Sequence, residues 1–294
     1  MLHEQKKQKP GLVPIYINPH SGSLRTGSTI TLGARGDSYY EYLLKHWLQS
    51  GKSIKYLLND FIESYDAIKE HLLRKSEPNK LLYVGELLGG HSFSPKMDHL
   101  VCFLPGVYVL GVENKMFGTG PDAAAKEKEA IEIAANLTFT CHNFYAKTAT
   151  GLSPEIVFFN MAPSAKEDLI IKPQDSHYLL RPETVESLFY MYRHTKDPKY
   201  RQWGWEIFLA IEKHTKQPDG RGYCSIDSVL DANKHYFSRD KMESFFLAET
   251  LKYLYLLFSD DETLLPLDKW VFNTEAHPLP LRTADEIAGL TNKT

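Results

Sequence analysis

Hydrophobic residues recur along this chain at helical spacing. In segment 39–48 the apolar positions follow the i, i+3, i+4, i+7 pattern of an amphipathic helix. Segment 54–73 repeats that stripe, whereas 96–112 and 241–258 are apolar on nearly every side, which is typical of buried helices. About seven helices are predicted in total: 39–48, 54–73, 96–112, 122–145, 181–192, 199–214 and 241–258.

A repeating order of elements connects these helices. β-Branched and aromatic runs bounded by turn residues, such as 15–18, 28–32 and 156–160, predict short hairpins. The repeating unit is a hairpin or extended loop followed by two helices, one mostly apolar and one amphipathic. This alternation is typical of an all-α fold of the α/α-barrel type. A plain helical solenoid is the alternative, but its turns are usually short, so the hairpins argue against it.

The composition is that of an ordinary globular protein, with 43% hydrophobic residues and a net charge of −3. Because no basic stripe or patch is present, we expect no nucleic-acid partner. No apolar stretch reaches the roughly 18 residues of a membrane span. Zinc-ligand spacing, a P-loop and a dinucleotide fingerprint are also absent from the sequence. These absences argue against a zincin, a zinc ribbon, a P-loop NTPase and a dinucleotide-binding Rossmann domain.

Acidic residues stand at the starts of the mostly apolar helices. They are Asp37, Asp98, Glu183, Glu186 and Glu243. If these helices run in the same direction inside a barrel, their carboxylates would converge around the mouth of one cavity. A carboxylate at a helix N-terminus can also simply complement the helix dipole, and that alternative stays open.

Glu249 fits the dipole explanation poorly, because it lies more than a turn inside an apolar helix, where a charge is costly unless paired or hydrated. Arg35 and Arg181 lie close in sequence to Asp37 and Glu183. They could pair with these acids or donate to the hydroxyls of a ligand. A cavity with carboxylates, arginines and aromatic rings suits a neutral polyhydroxy ligand, and paired carboxylates are the usual groups for glycoside hydrolysis.

Segment 271–278 follows the last helix and reads as one short strand. In a barrel, such a strand could enter the cavity from the closed end. Thr274 could then offer its hydroxyl and its carbonyl oxygen together, which are ligands that Ca²⁺ prefers. A plain edge strand is the alternative interpretation.

Four segments of the chain match a known family in the right order. They are GARGDSYYEYL at 33–43, LRPETVES at 180–187, KMESFFLAET at 241–250 and FNTEAHP at 272–278. Together they resemble class I α-1,2-mannosidases, glycoside hydrolase family 47. The segment KMDHLVCFLPG at 96–106 resembles the endoplasmic-reticulum branch of that family more than the Golgi branch.

This resemblance implies an (α/α)7 barrel closed by a hairpin. It also implies calcium-dependent removal of α-1,2-linked mannose from high-mannose N-glycans, with inversion at the anomeric centre. By motif position, Glu183 is expected to be the general base, Asp37 the second catalytic carboxylate and Thr274 the direct protein ligand of calcium. The residues expected to contact sugar or hold calcium-bound water are Arg35, Arg181, Glu186, Phe245, Glu249 and Glu275.

The resemblance pairs Cys102 with Cys141 in a disulfide, which implies an oxidising lumen, expected to be that of the endoplasmic reticulum. Without the resemblance, two free buried thiols are the default interpretation. Cys224 is left unpaired.

The resemblance further implies that residues 1–294 form a single, N-terminally truncated barrel domain, about the C-terminal two thirds. The missing part carries the glutamate assigned as the general acid and the membrane anchor expected in the full-length protein. We therefore expect the isolated chain to fold poorly and to hydrolyse mannosides weakly. Two function classes remain: an inverting α-1,2-mannosidase of glycoprotein processing, and a non-hydrolytic mannose-binding protein of the same fold in glycoprotein degradation.

Overall fold

Helices make up most of the secondary structure in the computed structural model, which describes residues 3–5, 7–233 and 239–291. In these ranges the α-helices are α1 (Asp37–Gln49), α2 (Lys55–His71), α3 (Leu104–Glu113), α4 (Pro121–Ala146), α5 (Glu183–Thr195), α6 (Lys199–His214), α7 (Leu251–Phe258) and α8 (Ala284–Thr291). None of the described helices is long and apolar enough to cross a membrane.

The helices form two layers. Helices α1, α3, α5 and α7 contact one another in succession, and α2, α4 and α6 pack against them. Helix α3 is buried along Leu104–Val112, as its nearly uniform apolar sequence predicts. It approaches α5 closely because a Cβ atom at Gly106 would lie 2.7 Å from the ring of Tyr190. The layers therefore follow the predicted alternation of inner and outer helices.

Short antiparallel strands join the helices, as predicted. They are β1 (Leu73–Lys75), β2 (Leu82–Val84), β3 (Glu86–Leu88), β4 (Ser92–Ser94), β5 (Lys96–Asp98), β6 (Ile156–Phe159), β7 (Leu169–Ile170), β8 (Trp270–Phe272) and β9 (Pro278–Pro280). Strands β1–β2, β3–β4 and β8–β9 form hairpins, and β5, β6 and β7 form a three-stranded sheet in that order.

Some predicted bounds were wrong. Segment 96–112 is not one helix: β5 pairs with β6, a 3₁₀ turn covers His99–Phe103, and α3 follows. The pairing with a strand about sixty residues away overrides the local apolar pattern. Segments 15–18 and 28–32 form only the isolated bridges Ile17–Leu24 and Ile30–Leu87.

The structure contains the disulfide between Cys102 and Cys141, with a Cα–Cα distance of 5.9 Å. It joins the 3₁₀ turn before α3 to the C-terminal half of α4. Cys224 is free and buried. The crosslink thus fixes the turn that carries His99, which matters for the site described next.

Candidate active site

A small cavity lies where the first turns of α1 and α5 face the β8–β9 hairpin. Its volume is about 40 Å³, room for an ion with a few waters but too small for a sugar ring. Its lining combines five carboxylates with two apolar side chains and one threonine: Asp37, Glu41, Glu183, Glu186, Glu249, Leu100, Phe103 and Thr274. Residues more than 200 positions apart in sequence therefore meet in one place.

Asp37 and Glu183 are the first residues of α1 and α5, and strained loops deliver both of them. Arg35, two residues before Asp37, has φ 76°, and Leu180, three residues before Glu183, has φ 61°. Non-glycine residues rarely adopt this left-handed conformation, and such outliers cluster at functional sites. The Leu180 carbonyl accepts a hydrogen bond from the Thr250 hydroxyl at 2.7 Å, which helps to hold the second loop.

Glu249 reaches the cavity from a π-helical turn, Phe246–Thr250, directly before α7. Such a turn inserts an extra residue into the helix and is frequent at functional sites. The turn explains why the apolar pattern of segment 241–258 includes an acid: the carboxylate of Glu249 is buried but faces the cavity rather than the core.

Thr274 lies at the tip of the β8–β9 hairpin. Its backbone N–H donates to the hydroxyl of Tyr42 on α1 at 3.3 Å. The Lys252 ammonium on α7 donates to the Ala276 carbonyl at 2.7 Å. The tip is thus attached to the first and last inner helices, and this fixes the position of Thr274 over the cavity.

Glu183 is held by a histidine. His99 Nδ1 lies 2.9 Å from Glu183 Oε2, and His99 Nε2 lies 2.8 Å from the Tyr145 hydroxyl and 3.0 Å from that of Thr184. A neutral imidazole that donates from Nδ1 has one lone pair at Nε2, which can accept the hydrogen of either hydroxyl. The network orients the Glu183 carboxylate from the side opposite Arg181, whose Nη1 lies 4.0 Å from Glu183 Oε1.

Arg181 is anchored by Glu155. Its Nε and Nη2 donate to the two carboxylate oxygens of Glu155 at 2.7 and 2.5 Å, a bidentate pair. The ring of Phe245 lies 5.8 Å from the guanidinium carbon. Arginine and aromatic ring together form a polar and apolar rim beside the carboxylates.

The carboxylates perturb one another. Burial raises the pKa of Glu186 to about 8, although the charge of Lys45 opposes this, and neighbouring carboxylates raise it further. Burial and the charges of Glu183 and Glu275 raise the pKa of Glu249 to about 8. Burial also raises the pKa of Asp37. A cation bound in this cavity would stabilise the ionised form of these carboxyl groups.

Among the predicted site residues, Asp37, Glu183, Glu186, Glu249 and Thr274 line the cavity together. Three more lie at its edge: Arg181 and Phe245 as described, and Glu275, whose charge acts on Glu249.

The structure does not bring every predicted group to the lining. Arg35 is exposed and donates to the hydroxyl of Tyr16. Asp98 accepts the Ala34 N–H at 3.1 Å and pairs with Lys96, so its carboxylate closes the loop before α1 instead of lining the cavity. The helical segment begins only after Glu243, and this carboxylate pairs with Lys241 at 2.9 Å instead of lining the cavity.

Sequence reasoning missed four participants: Glu41, Lys45, His99 and Glu155. Glu41, Leu44, Lys45 and Leu48 have the i, i+3, i+4, i+7 spacing of one helix face, and all four are buried. Two charges on an apolar face were the available signal for a buried ion pair. His99 and Glu155 carry no such signal, because their partners lie 84 and 26 residues away.

The donors at the cavity suit a hard cation. Every polar side chain in the lining offers oxygen: five carboxylates and the hydroxyl of Thr274. Within the described ranges, no group of three His, Cys, Asp or Glu side chains is arranged to chelate a metal directly. The lining therefore fits a calcium ion with few direct protein ligands and waters held by the surrounding carboxylates.

The sequence profile of glycosyl hydrolase family 47 matches residues 1–281. The chain belongs to this family. Its motifs at 33–43, 96–106, 180–187, 241–250 and 272–278 supply the residues that line the cavity.

Two curated relatives extend this finding. The chain is 54% identical over 283 residues to the human endoplasmic reticulum mannosyl-oligosaccharide 1,2-alpha-mannosidase, covering 96% of this chain and 39% of that protein. It is 48% identical over 279 residues to the enzyme of the same name from Schizosaccharomyces pombe, covering 92% of this chain and 52% of that protein. The chain thus spans about two fifths to one half of these relatives.

A solved relative confirms the predicted fold class. The α-1,2-mannosidase from Trichoderma reesei superposes with a TM-score of 0.83 at 30% identity, covering 96% of this chain and 59% of that one. The two layers of helices with short hairpins are therefore part of the α/α barrel of this family.

Proposed function

We propose that the chain forms the base and metal side of an inverting, calcium-dependent α-1,2-mannosidase site that acts on high-mannose N-glycans of glycoproteins. The observation that carries the proposal is the meeting of Asp37, Glu183 and Thr274 around one carboxylate cavity. The names of the relatives, mannosyl-oligosaccharide 1,2-alpha-mannosidases, supply the substrate class.

In this proposal Glu183 takes the proton from the attacking water. Its Oε2 is already engaged by His99, so Oε1, on the side of Arg181, is the oxygen that faces a water. Asp37 is the second catalytic carboxylate. Inversion requires an acid and a base about 6.5–9.5 Å apart, which leaves room for the water between them. The resemblance assigns the acid to a segment other than the motifs described.

Calcium, when bound, would supply positive charge that polarises sugar hydroxyls and offsets the surrounding carboxylates. Thr274 would hold it through its hydroxyl and carbonyl oxygens, and Glu41, Glu186 and Glu249 would hold its waters. Arg35, Arg181, Phe245 and Glu275 are proposed to contact the glycan at the rim.

We place this activity in the lumen of the endoplasmic reticulum, in glycoprotein processing and quality control. The Cys102–Cys141 disulfide supports an oxidising compartment, and the names of the relatives supply the organelle.

Mannose release from a high-mannose glycan tests the proposal. The 294-residue chain is incubated with the glycan in calcium and in EDTA, and free mannose and its anomer are followed by NMR. We expect slow release of β-mannose that requires calcium. Release of α-mannose, or release that EDTA leaves unchanged, would contradict the mechanism.

The metal site is tested separately by calcium titration calorimetry. Thr274→Val removes the hydroxyl and keeps the carbonyl, so we expect weaker calcium binding. Thr263→Val, which removes an exposed hydroxyl hydrogen-bonded only locally to Asp261, is the matched control and should bind calcium as the unchanged chain does. Equal affinities in all three chains would refute Thr274 as the ligand.

A mannose-binding protein without hydrolysis is the second candidate. The resemblance favours it, because it assigns the general acid to a segment other than the motifs described. Glycan binding that survives Glu183→Gln, together with no mannose release by the unchanged chain, would support this candidate over the first.

A further inference from the structure

Lys45 is a buried lysine next to the carboxylate cavity. Its side chain is 2% exposed, and its ammonium lies 2.5 Å from Glu41 Oε1 and 3.9 Å from Glu186 Oε1. Both partners line the cavity, yet Lys45 itself does not. The ammonium of Lys45 therefore contacts these carboxylates from the side opposite the cavity.

The cavity gathers many acidic side chains and few basic ones. Five carboxylates line it, and the nearby Arg181 already has a bidentate partner in Glu155. The Tyr253 hydroxyl donates to Glu186 Oε1 at 3.2 Å, which supplies a hydrogen bond but no charge. Lys45 supplies a full positive charge in direct contact with one carboxylate and close to a second.

Burying carboxylates side by side is costly unless a cation compensates them. We infer that Lys45 is a positioning residue, an internal counter-ion that holds Glu41 and Glu186 in place when no metal is bound. The inference rests on the proposed metal site, since calcium and Lys45 then compensate the same carboxylates from opposite sides.

This arrangement makes a specific prediction about linkage. With Lys45 present, the fold tolerates an empty cavity. Without its charge, the carboxylates repel one another until calcium arrives, so calcium should stabilise the variant more than it stabilises the unchanged chain. A lysine that served only packing would give no such difference.

The test compares thermal unfolding midpoints in EDTA and in millimolar calcium. We expect Lys45→Met to lower the midpoint by about 10 °C in EDTA and by clearly less in calcium. Lys45→Arg keeps the charge and should restore most of the loss. Lys7→Met is the matched control, because Lys7 is also buried (6% exposed side chain) and pairs with Glu63 at 3.5 Å, away from the cavity. Lys7→Met should lower the unfolding midpoint by the same amount in EDTA and in calcium.

If calcium stabilises the unchanged chain, equal losses for Lys45→Met with and without calcium would overturn the inference. If Lys45→Met does not fold at all, the double variant Glu41→Gln, Lys45→Met decides: it removes both charges and should be folded in EDTA if Lys45 acts as a counter-ion. An unfolded double variant would also overturn the inference.

The same series separates this inference from the proposed metal site. If the unchanged chain gains no stability from calcium, the metal site fails. The comparison of Lys45→Met with the double variant in EDTA still decides the role of Lys45, because neither measurement involves the metal.

Discussion

The cavity and the groove between α6 and α7 both depart from the usual distribution, in which charged side chains are exposed and apolar side chains are buried. The cavity buries charge, with Lys45, Glu41 and Glu186 each at most 9% exposed. The groove, about 340 Å³ in volume, exposes apolar surface and is lined by Trp205, Phe208, Leu251, Leu254, Tyr255, Phe258 and Ser259. Tyr255 is 68% and Trp205 50% exposed.

The side chains of the two regions differ in the partners that they require. A buried charge needs a partner of opposite sign or a ligand, so each cavity residue is constrained by others. An exposed aromatic ring needs nothing from the fold, although a continuous apolar patch tends to attract other surfaces. We therefore expect substitutions in the cavity to have large and specific effects, and substitutions at the rim of the groove to have small ones.

The largest expected effect is on catalysis. Glu183→Gln keeps the size of the side chain but removes the proposed base, and should lower the rate of mannose release about 10²- to 10⁴-fold. The rate is measured with the high-mannose glycan in calcium. Tyr255→Gln in the groove is the control and should leave the rate unchanged. A rate that Glu183→Gln reduces less than twofold would break the contrast between the two regions.

At the base of the groove, Leu254 is only 3% exposed, one residue from Tyr255. Leu254→Ala should lower the free energy of unfolding by about 2–3 kcal/mol, the low end for a buried leucine, because water can enter the enlarged groove. Urea denaturation measures this. An effect below about 0.5 kcal/mol would mean that the groove contributes little to the core.

The cavity should also give the metal-free protein an unusual pH dependence. The folded pKa values of Glu186 and Glu249, about 8, lie above the ordinary glutamate value of 4.5. The folded state therefore binds more protons than the unfolded state between these limits, and stability falls as pH rises through this window.

Urea denaturation in EDTA at pH 5.5 and pH 8 measures the effect, which we expect to be on the order of 1 kcal/mol or more. Glu186→Gln should flatten the dependence, since glutamine does not titrate. Greater stability at pH 8 than at pH 5.5 would have the wrong sign for buried, mutually repelling carboxyls.

The smallest expected effect is at the exposed rim of the groove. Tyr255→Gln should change the free energy of unfolding by no more than about 0.5 kcal/mol, because little surface there is removed from water on folding. The same urea experiment measures it. A loss as large as that of Leu254→Ala would show that the ring packs against the fold more tightly than its exposure indicates.

Local pattern predicted the outer helices well. The predicted segments 54–73, 122–145 and 199–214 match α2, α4 and α6 to within two residues at each end. These helices have one exposed and one buried face, so their sequence records their packing directly. The single strand predicted over 271–278 was wrong, because β8 ends at Phe272 and Thr274 lies in the turn of the β8–β9 hairpin.

Prediction failed where distant contacts decide the structure. The apolar run 96–112 was assigned to one helix, but Met97 pairs with Val157 in a sheet. The motifs indicated Asp37, Glu183 and Thr274, whereas the approach of Lys45 to Glu186, 141 positions further along the chain, could not be predicted from local spacing. A buried ion pair can be predicted from the sequence when both partners lie on the same helix, as Glu41 and Lys45 do.

The hairpin tip that carries Thr274 comes after every helix that contributes a carboxylate to the cavity. During synthesis on the ribosome, the acids at 37, 41, 183, 186 and 249 are therefore all made before the threonine proposed to hold the cation. Lys45 is made with the first two of them. A nascent chain can thus pair Glu41 and Glu186 with Lys45 before the threonine of the proposed calcium site has been made.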